Sequence, residues 1–521
     1  MPTDTSHTPG HRRRAIRTIE VVLFLGTVAS RLPFTSRVLY HWDSVNFAYA
    51  LQRFDVAAEQ PQPPGYILYV WLARLVDAFL HDAQVSMVLL SILASGLAVV
   101  ALYRLGQALF DERTGLAAAL FLASSPLFWF YGEIALPHTV DTLFVILAAW
   151  ALYALMRGQR GALWVSAVVL AVAGGLRQQT AVFLAPLALY AGWRGTVGRD
   201  GWGRGLRRVA LAVALFTLLC LAWFVPLVQS AGGLARYREV MGTFAARFNA
   251  TTSVFMGAGT FGLIRNLRKL TMYTLYGWGM AALPFGLALL AVLVRRRRPA
   301  LGERVVFLAL WALPALGFYT LIHMGQQGLV FVYLPVLLLI SAAALPPRHA
   351  SRFTFLLVAL NAAIFLLMPE HPLGNERFRL LTRQTVQHND TYYRSRFQAI
   401  RETFPPERTV IVAARWRHVQ YYLPEYRWLP FSLGAKWEVN EGRPDSGRIA
   451  TGSYGAADLG LEAGMTVVLF DPDLDAFIQA SGAARTLPLK DGGTMTYLSL
   501  GPGELLELGP RGIAVELAAG G

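Results

Sequence analysis

Long apolar runs, separated by short polar breaks, dominate the first 368 residues. They lie at 15–33, 84–105, 115–131, 139–156, 162–176, 180–193, up to about 230, 271–294, 305–322, up to about 345, and 353–368. Each reads as a helix, and most approach the ~20 residues that cross a ~30 Å hydrocarbon core. The run 66–80 is shorter and carries Arg74 and Asp77, so it reads as a helix lying on the membrane surface. The pattern changes after residue 369. Short β-like stretches at 409–413, 465–470 and 494–500 alternate there with helical segments, as in a small α/β domain. The expected fold is a polytopic α-helical membrane protein with about eleven transmembrane helices and outer-side juxtamembrane helices, plus that C-terminal α/β domain. The expected divisions are a polar segment 1–14, a transmembrane domain 15–369 and a domain 370–521; loops 35–83 and 231–270 lie on the outer side.

Composition agrees: 55% of the 521 residues are hydrophobic and only 15% charged. The net charge of +15 raises nucleic acid as a partner. The basic residues instead sit between apolar runs, as the positive-inside rule places them, so nucleic acid is set aside. With 66–80 not spanning, the Arg-rich loops 157–160, 194–208, 295–304 and 348–352 fall on the side of the N-terminus. A basic patch, Arg12, Arg13, Arg14 and Arg17, precedes the first run without a clear cleavage pattern, which reads as a retained anchor with a cytoplasmic N-terminus. An odd number of spans then puts residues 370–521 outside. Cys220 is the single cysteine, so no intramolecular disulfide forms.

This topology gathers polar groups on one outer face. They are Asp43 in the loop after the first run; Glu133, His138 and Asp141; Arg177-Gln178-Gln179; the 231–270 loop; and His323 with Gln326 and Gln327. Asp43 begins the stretch His41 to Tyr66, which also holds Asp55, Glu59, Gln62 and Pro63-Pro64-Gly65-Tyr66. A carboxylate there can act as a general base. Arg177 breaks an apolar run on the outer side, against the positive-inside bias, and its planar fork suits a phosphate. Arg265, Arg268 and Lys269 break the same bias and are further phosphate candidates, or contacts for anionic headgroups. A membrane cavity with a carboxylate and an arginine suits an acidic amphiphile.

The chain resembles the GT-C-type membrane glycosyltransferases, in the branch of protein O-mannosyltransferases and the lipid A aminoarabinose transferase. The resemblance rests on Asp43 after the first span, Pro63-Pro64-Gly65-Tyr66 late in the same loop, the acids between Gly132-Glu133 and Asp141, and Arg177 after the fifth span. It covers residues 15–345 by order and spacing. Ser44 stands where the family often has Glu, and Gln62 where it often has His or Lys. The resemblance implies a polyprenyl-phosphate-linked sugar donor and transfer with inversion to an outer-side glycan, lipid or protein acceptor. The location it implies is a bacterial inner membrane with a periplasmic C-terminal domain. Asp43 would be the base, assisted by Glu133 or Asp141, with Arg177 on the donor phosphate. Glu59, Gln62, Tyr66, His138, Gln178, His323, Gln326 and Gln327 are candidates to line the substrate. No tight ligand spacing supports a metal site, and a divalent metal stays open.

Plainer readings compete. Asp43 can cap the helix that follows it. Pro63-Pro64-Gly65 can be only a turn, and Arg177 can only snorkel to the interface. Asn249-Ala250-Thr251 is a glycosylation sequon by pattern alone, and the acids from Asp471 to Asp475 fit a helix N-terminus better than a calcium loop. Arg415-Trp416-Arg417-His418 with Tyr421 and Tyr422 suits an acceptor glycan or a docking surface. A lipid transporter and a non-catalytic binding scaffold remain as alternatives. The inverted repeats common in transporters are not evident here.

Overall fold

The computed structural model describes residues 9–294, 302–374, 379–431, 464–478, 484–502, 504–509 and 512–517. Its contacts divide the chain into one unit of residues 1–37 and 46–386 and a second of residues 38–45 and 387–521. The second unit is therefore discontinuous in sequence. It takes residues 38–45, with Asp43, out of the loop that the apolar pattern assigns to the transmembrane domain.

The first unit is helical. Among the described residues, six stretches are long and apolar enough to cross a membrane: 83–109, 138–156, 202–230, 254–294, 303–321 and 350–367. The apolar windows of 83–109 and 138–156 are 72% buried by protein, against 17% in 202–230 and 254–294. The first two are therefore central, and the others turn apolar side chains such as Leu218, Leu287 and Leu293 outward. Ala83–Leu109 packs on Glu112–Ser124 at a contact of glycines. A Cβ on Gly106 would lie 2.6 Å from the Cα of Gly115, so the two backbones meet with no room for a side chain. Arg104 closes an ion pair with Glu20 between helices.

Two expected runs are interrupted. The run 115–131 breaks at Ser125, where the Ser125 hydroxyl accepts from the Phe128 N–H and Pro126 starts a new turn. The run 271–294 is the second half of a longer stretch that breaks at Gly279, whose φ of 55° suits glycine. Leu234–Thr252 is a regular helix inside the expected 231–270 loop. The run expected to lie on the membrane surface is the helix Ile67–Leu80, 14 residues long. At 1.5 Å per residue it reaches ~21 Å, short of a ~30 Å hydrocarbon core. The basic run Arg295–Arg298 lies outside the described residues.

The second unit is built on a five-stranded sheet. Its strands are β1 Thr409–Ala413, β2 Arg427–Pro430, β3 Thr466–Leu469, β4 Ala484–Pro488 and β5 Thr494–Ser499, in the order β2-β1-β3-β5-β4. β1 runs parallel to both β2 and β3, whereas β5 is antiparallel to β3 and β4. A separate hairpin pairs β6 Glu504–Gly509 with β7 Gly512–Leu517. Alternate residues of β1 serve two cores, as the pleat requires. Val410 and Val412 face Leu429, Val467 and Leu498; Ile411 and Ala413 face Tyr393, Phe397, Val419 and Phe470. Val38 belongs to this second core.

Candidate functional site

In the first unit the main polar cluster forms around the break between Ala162–Leu176 and Gln178–Gly192. Arg177 is extended there (φ −155°, ψ 109°), which ends one helix and lets the next start in a new direction. Its side chain is 7% exposed and pairs with Asp141, 4% exposed, in the first turn of His138–Met156. Arg177 Nη1 lies 3.4 Å from Asp141 Oδ2, and Nη2 donates to Gln179 Oε1 at 3.2 Å. The Thr180 hydroxyl donates to Asp141 Oδ1 at 2.6 Å. Tyr66 and Tyr319 lie near the guanidinium. Arg177 Nε is buried and makes no hydrogen bond. Asp141 is thus Arg177's counter-ion, and the guanidinium keeps donor capacity in a water-poor site.

The proline-rich stretch is held beside this cluster. The Asp55 carboxylate accepts from the Ala57 and Ala58 N–H groups and caps a short turn. Glu59 (φ 54°) pairs with Arg247 at 3.0 Å. The Pro64 carbonyl accepts from the Tyr237 hydroxyl at 3.1 Å and from Gln178 Nε2 at 3.4 Å. Gly65 has φ 114°, and a Cβ there would be 2.5 Å from a Leu227 methyl. Tyr66 is left-handed (φ 45°, ψ 40°) without being glycine, a conformation that costs about 1–3 kcal/mol and favours functional segments. Its ring meets Phe47 edge-on at 5.3 Å. Gln62 is 6% exposed, and its Oε1 has no hydrogen-bond partner. An apolar recess of about 280 Å³ opens beside Gln178, lined by Gly174, Ala181, Phe216, Cys220 and Phe224.

Glu133 belongs to a different cluster. It is fully buried, with neither carboxylate oxygen hydrogen-bonded, near Arg31. Burial raises its pKa well above the usual carboxylate value, against the opposing effect of the Arg31 charge. Arg31 is 1% exposed, donates to the Ala123 carbonyl at 2.6 Å, and stacks over Trp129 at 4.6 Å. His138 is buried against Tyr131, with ring centres 4.7 Å apart, and against Gly328 of the turn that begins at Gln326.

The basic residues before the eighth expected span divide. Arg265 is buried and donates to Asn266 Oδ1 and the Met324 carbonyl at 3.0 and 3.2 Å. Lys269 is half-buried, whereas Arg268 is exposed on the helix surface. His323 Nδ1 and the Thr252 hydroxyl are 3.1 Å apart, which ties the Arg265 region to the 323–327 turn. Gln326 and Gln327 are half-buried. Among the described residues no three His, Cys, Asp or Glu side chains gather as a metal would need.

Asp43 lies in the second unit, in the first turn of Trp42–Gln52, with its side chain 22% exposed. It does not cap this helix. The helix begins one residue earlier, and the His41 carbonyl accepts from the Ser44 N–H at 2.9 Å. His41 Nδ1 accepts from the Asp43 N–H at 3.1 Å, so its 3.7 Å approach to Asp43 Oδ2 is no ion pair in that tautomer. The expected run of acids near the third strand also resolves. Asp471 is 2% exposed and accepts from the Ala414 and Arg415 N–H groups and the Tyr392 hydroxyl, so it is a structural carboxylate.

Sequence reasoning brought out Arg177 and Asp141 but not Thr180, Tyr237, Tyr319 or Arg31. Arg31 had a readable signal, since it too is a cation that ends an apolar run, as Arg177 does. Thr180 and the tyrosines carry no charge and stand out only once the helices are packed.

Residues 61–228 match the sequence model of the dolichyl-phosphate-mannose-protein mannosyltransferase family. No curated protein sequence matches the chain. Two crystal structures of ArnT from Cupriavidus metallidurans share its fold. The apo form is 14% identical, with a TM-score of 0.56 over 92% of this chain and 98% of that one. The form bound to undecaprenyl phosphate is 13% identical, with a TM-score of 0.57 over 94% and 98%. The chain therefore has the GT-C fold, and the resemblance to that class is borne out at the level of the fold.

Proposed function

We propose that this protein is an inverting glycosyltransferase that moves a sugar from a polyprenyl-phosphate donor to a lipid, glycan or protein acceptor at the outer face of a bacterial inner membrane. The observation that carries the reading is Arg177, a buried cation with an unused Nε donor, next in sequence to Gln178, which lines an apolar recess, in the fold of an enzyme whose structure holds undecaprenyl phosphate. In this reading the guanidinium holds the donor phosphate, Asp141 orients it, and the apolar recess receives the start of the prenyl chain. Asp43 takes the proton from the acceptor hydroxyl as that oxygen attacks the anomeric carbon. The bond from that carbon to the phosphate oxygen breaks, and polyprenyl phosphate leaves with the electron pair. Arg177 stabilises the charge that develops on it. Tyr66 and Gln62 line the donor side, and Arg265 and Lys269 serve a second anionic contact. Glu133, kept toward its neutral form, already holds a proton and so is less suited than Asp43 to accept one.

The topology belongs to the same reading: about eleven spans, a cytoplasmic N-terminus and a periplasmic C-terminal domain. The test is transfer by the purified protein from a panel of undecaprenyl-phosphate sugars. Asp43→Asn should abolish transfer while the protein stays folded and inserted, and near-normal transfer by that variant would overturn the mechanism. Movement of the lipid across vesicles without glycosidic bond formation would favour the transporter reading.

A further inference from the structure

The eight residues 38–45 are held by the second unit through their backbone. The Val38 N–H donates to Asp390 Oδ1 at 3.1 Å. The Leu39 N–H donates to the Tyr422 hydroxyl at 2.9 Å. The Leu39 carbonyl accepts from His418 Nε2 at 2.8 Å. A carbonyl can only accept, so this bond fixes the His418 tautomer with its proton on Nε2. Two residues outside any helix or strand thus have three backbone groups bound by three side chains, two of them from the helix Trp416–Tyr422.

These side chains are themselves fixed. His418 is 3% exposed and stacks flat on Tyr393, with centres 4.4 Å apart and planes at 14°. Tyr393 lies in the core with Phe397, Phe470 and Val38. Tyr422 packs against Phe397 at 5.0 Å. Closer to Asp43, the Trp42 ring meets Trp416 edge-on at 5.1 Å, and Trp416 stacks on Trp428 with centres 5.0 Å apart. The segment is clamped before Asp43 by hydrogen bonds and next to it by an aromatic row anchored on β2.

We propose that His418 and Tyr422 are positioning residues for Asp43: the unit that carries them sets the place of the catalytic carboxylate. This rests on the reading of Asp43 as the base. Neither side chain touches substrate. They act through the backbone of Leu39 and through the rigidity it passes along the chain to Asp43. Catalytic groups need placement within a fraction of an ångström, and a shift of about 1 Å can cost on the order of a hundredfold in rate.

The test uses the full-length protein, the undecaprenyl-phosphate sugar giving the highest turnover in the panel, and the variants Tyr422→Phe and His418→Phe. Each keeps an aromatic ring at the position and removes the hydrogen bond. kcat should fall about ten- to a hundredfold, with KM for the donor within about twofold of the parent. Hydrogen exchange should speed up at residues 38–45 while the amides of β1 and β3 stay protected. Unchanged kcat with faster exchange in 38–45 would show that the clamp stabilises the domain only, and unchanged exchange would show that the bonds do not hold the segment. Asp43→Asn separates this inference from the one beneath it. If Asp43→Asn is inactive and the ring variants are fully active, positioning fails and the base stands. If Asp43→Asn is active, both fail.

Discussion

The Arg177–Asp141 pair invites a double-mutant cycle. At 3.4 Å, two unit charges attract by about 5 kcal/mol for an effective dielectric of 20. Both side chains are under 10% exposed, so taking them out of water cancels much of that gain, and the intact pair is worth little net. Breaking it is different, because the remaining charge stays buried. Arg177→Met strands Asp141 with only the Thr180 hydroxyl, and Asp141→Asn keeps that hydroxyl contact but strands the guanidinium. Each single variant should lose about 3–5 kcal/mol. The double variant should lose less than the sum by about 2 kcal/mol or more, since neither charge is then left alone. Denaturant unfolding in detergent, followed by tryptophan fluorescence, measures the three differences. Single-variant losses that add within about 0.5 kcal/mol would refute the coupling. Transfer assays on the same samples separate stability from chemistry. The double variant should be folded and inactive, and an active one would remove Arg177 from the donor phosphate.

Three further outcomes follow from the geometry. Gly65→Ala should destabilise the protein by about 1–3 kcal/mol and slow transfer, because the alanine must adopt a positive φ and its methyl meets Leu227; thermal unfolding and turnover check it. Burial pushes the His418 pKa down from 6.5 to about 3, only partly offset by its bond to Leu39. The unfolded chain therefore binds one more proton between those values. The His418 contribution is complete above pH 6.5 and is lost as pH falls toward 3, with a slope of up to ~1.4 kcal/mol per unit. Acid unfolding monitored by hydrogen exchange in β1 and β3 should show this slope, and His418→Phe should flatten it. Glu133→Gln should change stability by less than about 1 kcal/mol at neutral pH, since burial already favours the uncharged carboxyl that the amide mimics; a large loss would mean that Arg31 keeps Glu133 ionised.

The parts of this molecule that sequence exposes are those governed by periodicity and by charge in apolar surroundings. The helix Ala83–Leu109 and the strand Thr409–Ala413 follow directly from runs of apolar residues. Arg177 stands out because a cation at the end of an apolar run needs a partner or a task. The breaks at Ser125 and Gly279 were hidden, because a serine or glycine inside an apolar run is usually tolerated in a helix. Arg268 looks equivalent to Arg265 in the chain and lies only about 60° from it around the helix, yet Arg265 is buried and Arg268 exposed. The place of Asp43 was the hardest to foresee. Nothing local to residues 38–45 announces that their hydrogen-bond partners are Asp390, His418 and Tyr422.

That separation has a consequence for how the protein is made. Val38 and its partner Asp390 are 352 positions apart. At roughly 5–20 residues per second, the ribosome needs about 20–70 s to synthesise the chain between them. Throughout that interval residues 38–45 have been translated while the side chains that will hold them do not yet exist. The second unit is thus completed only after the residues up to 422, and the strands beyond them, have been made. A premature stop before residue 418 would leave Leu39 without either of its partners, however well the preceding helices had assembled.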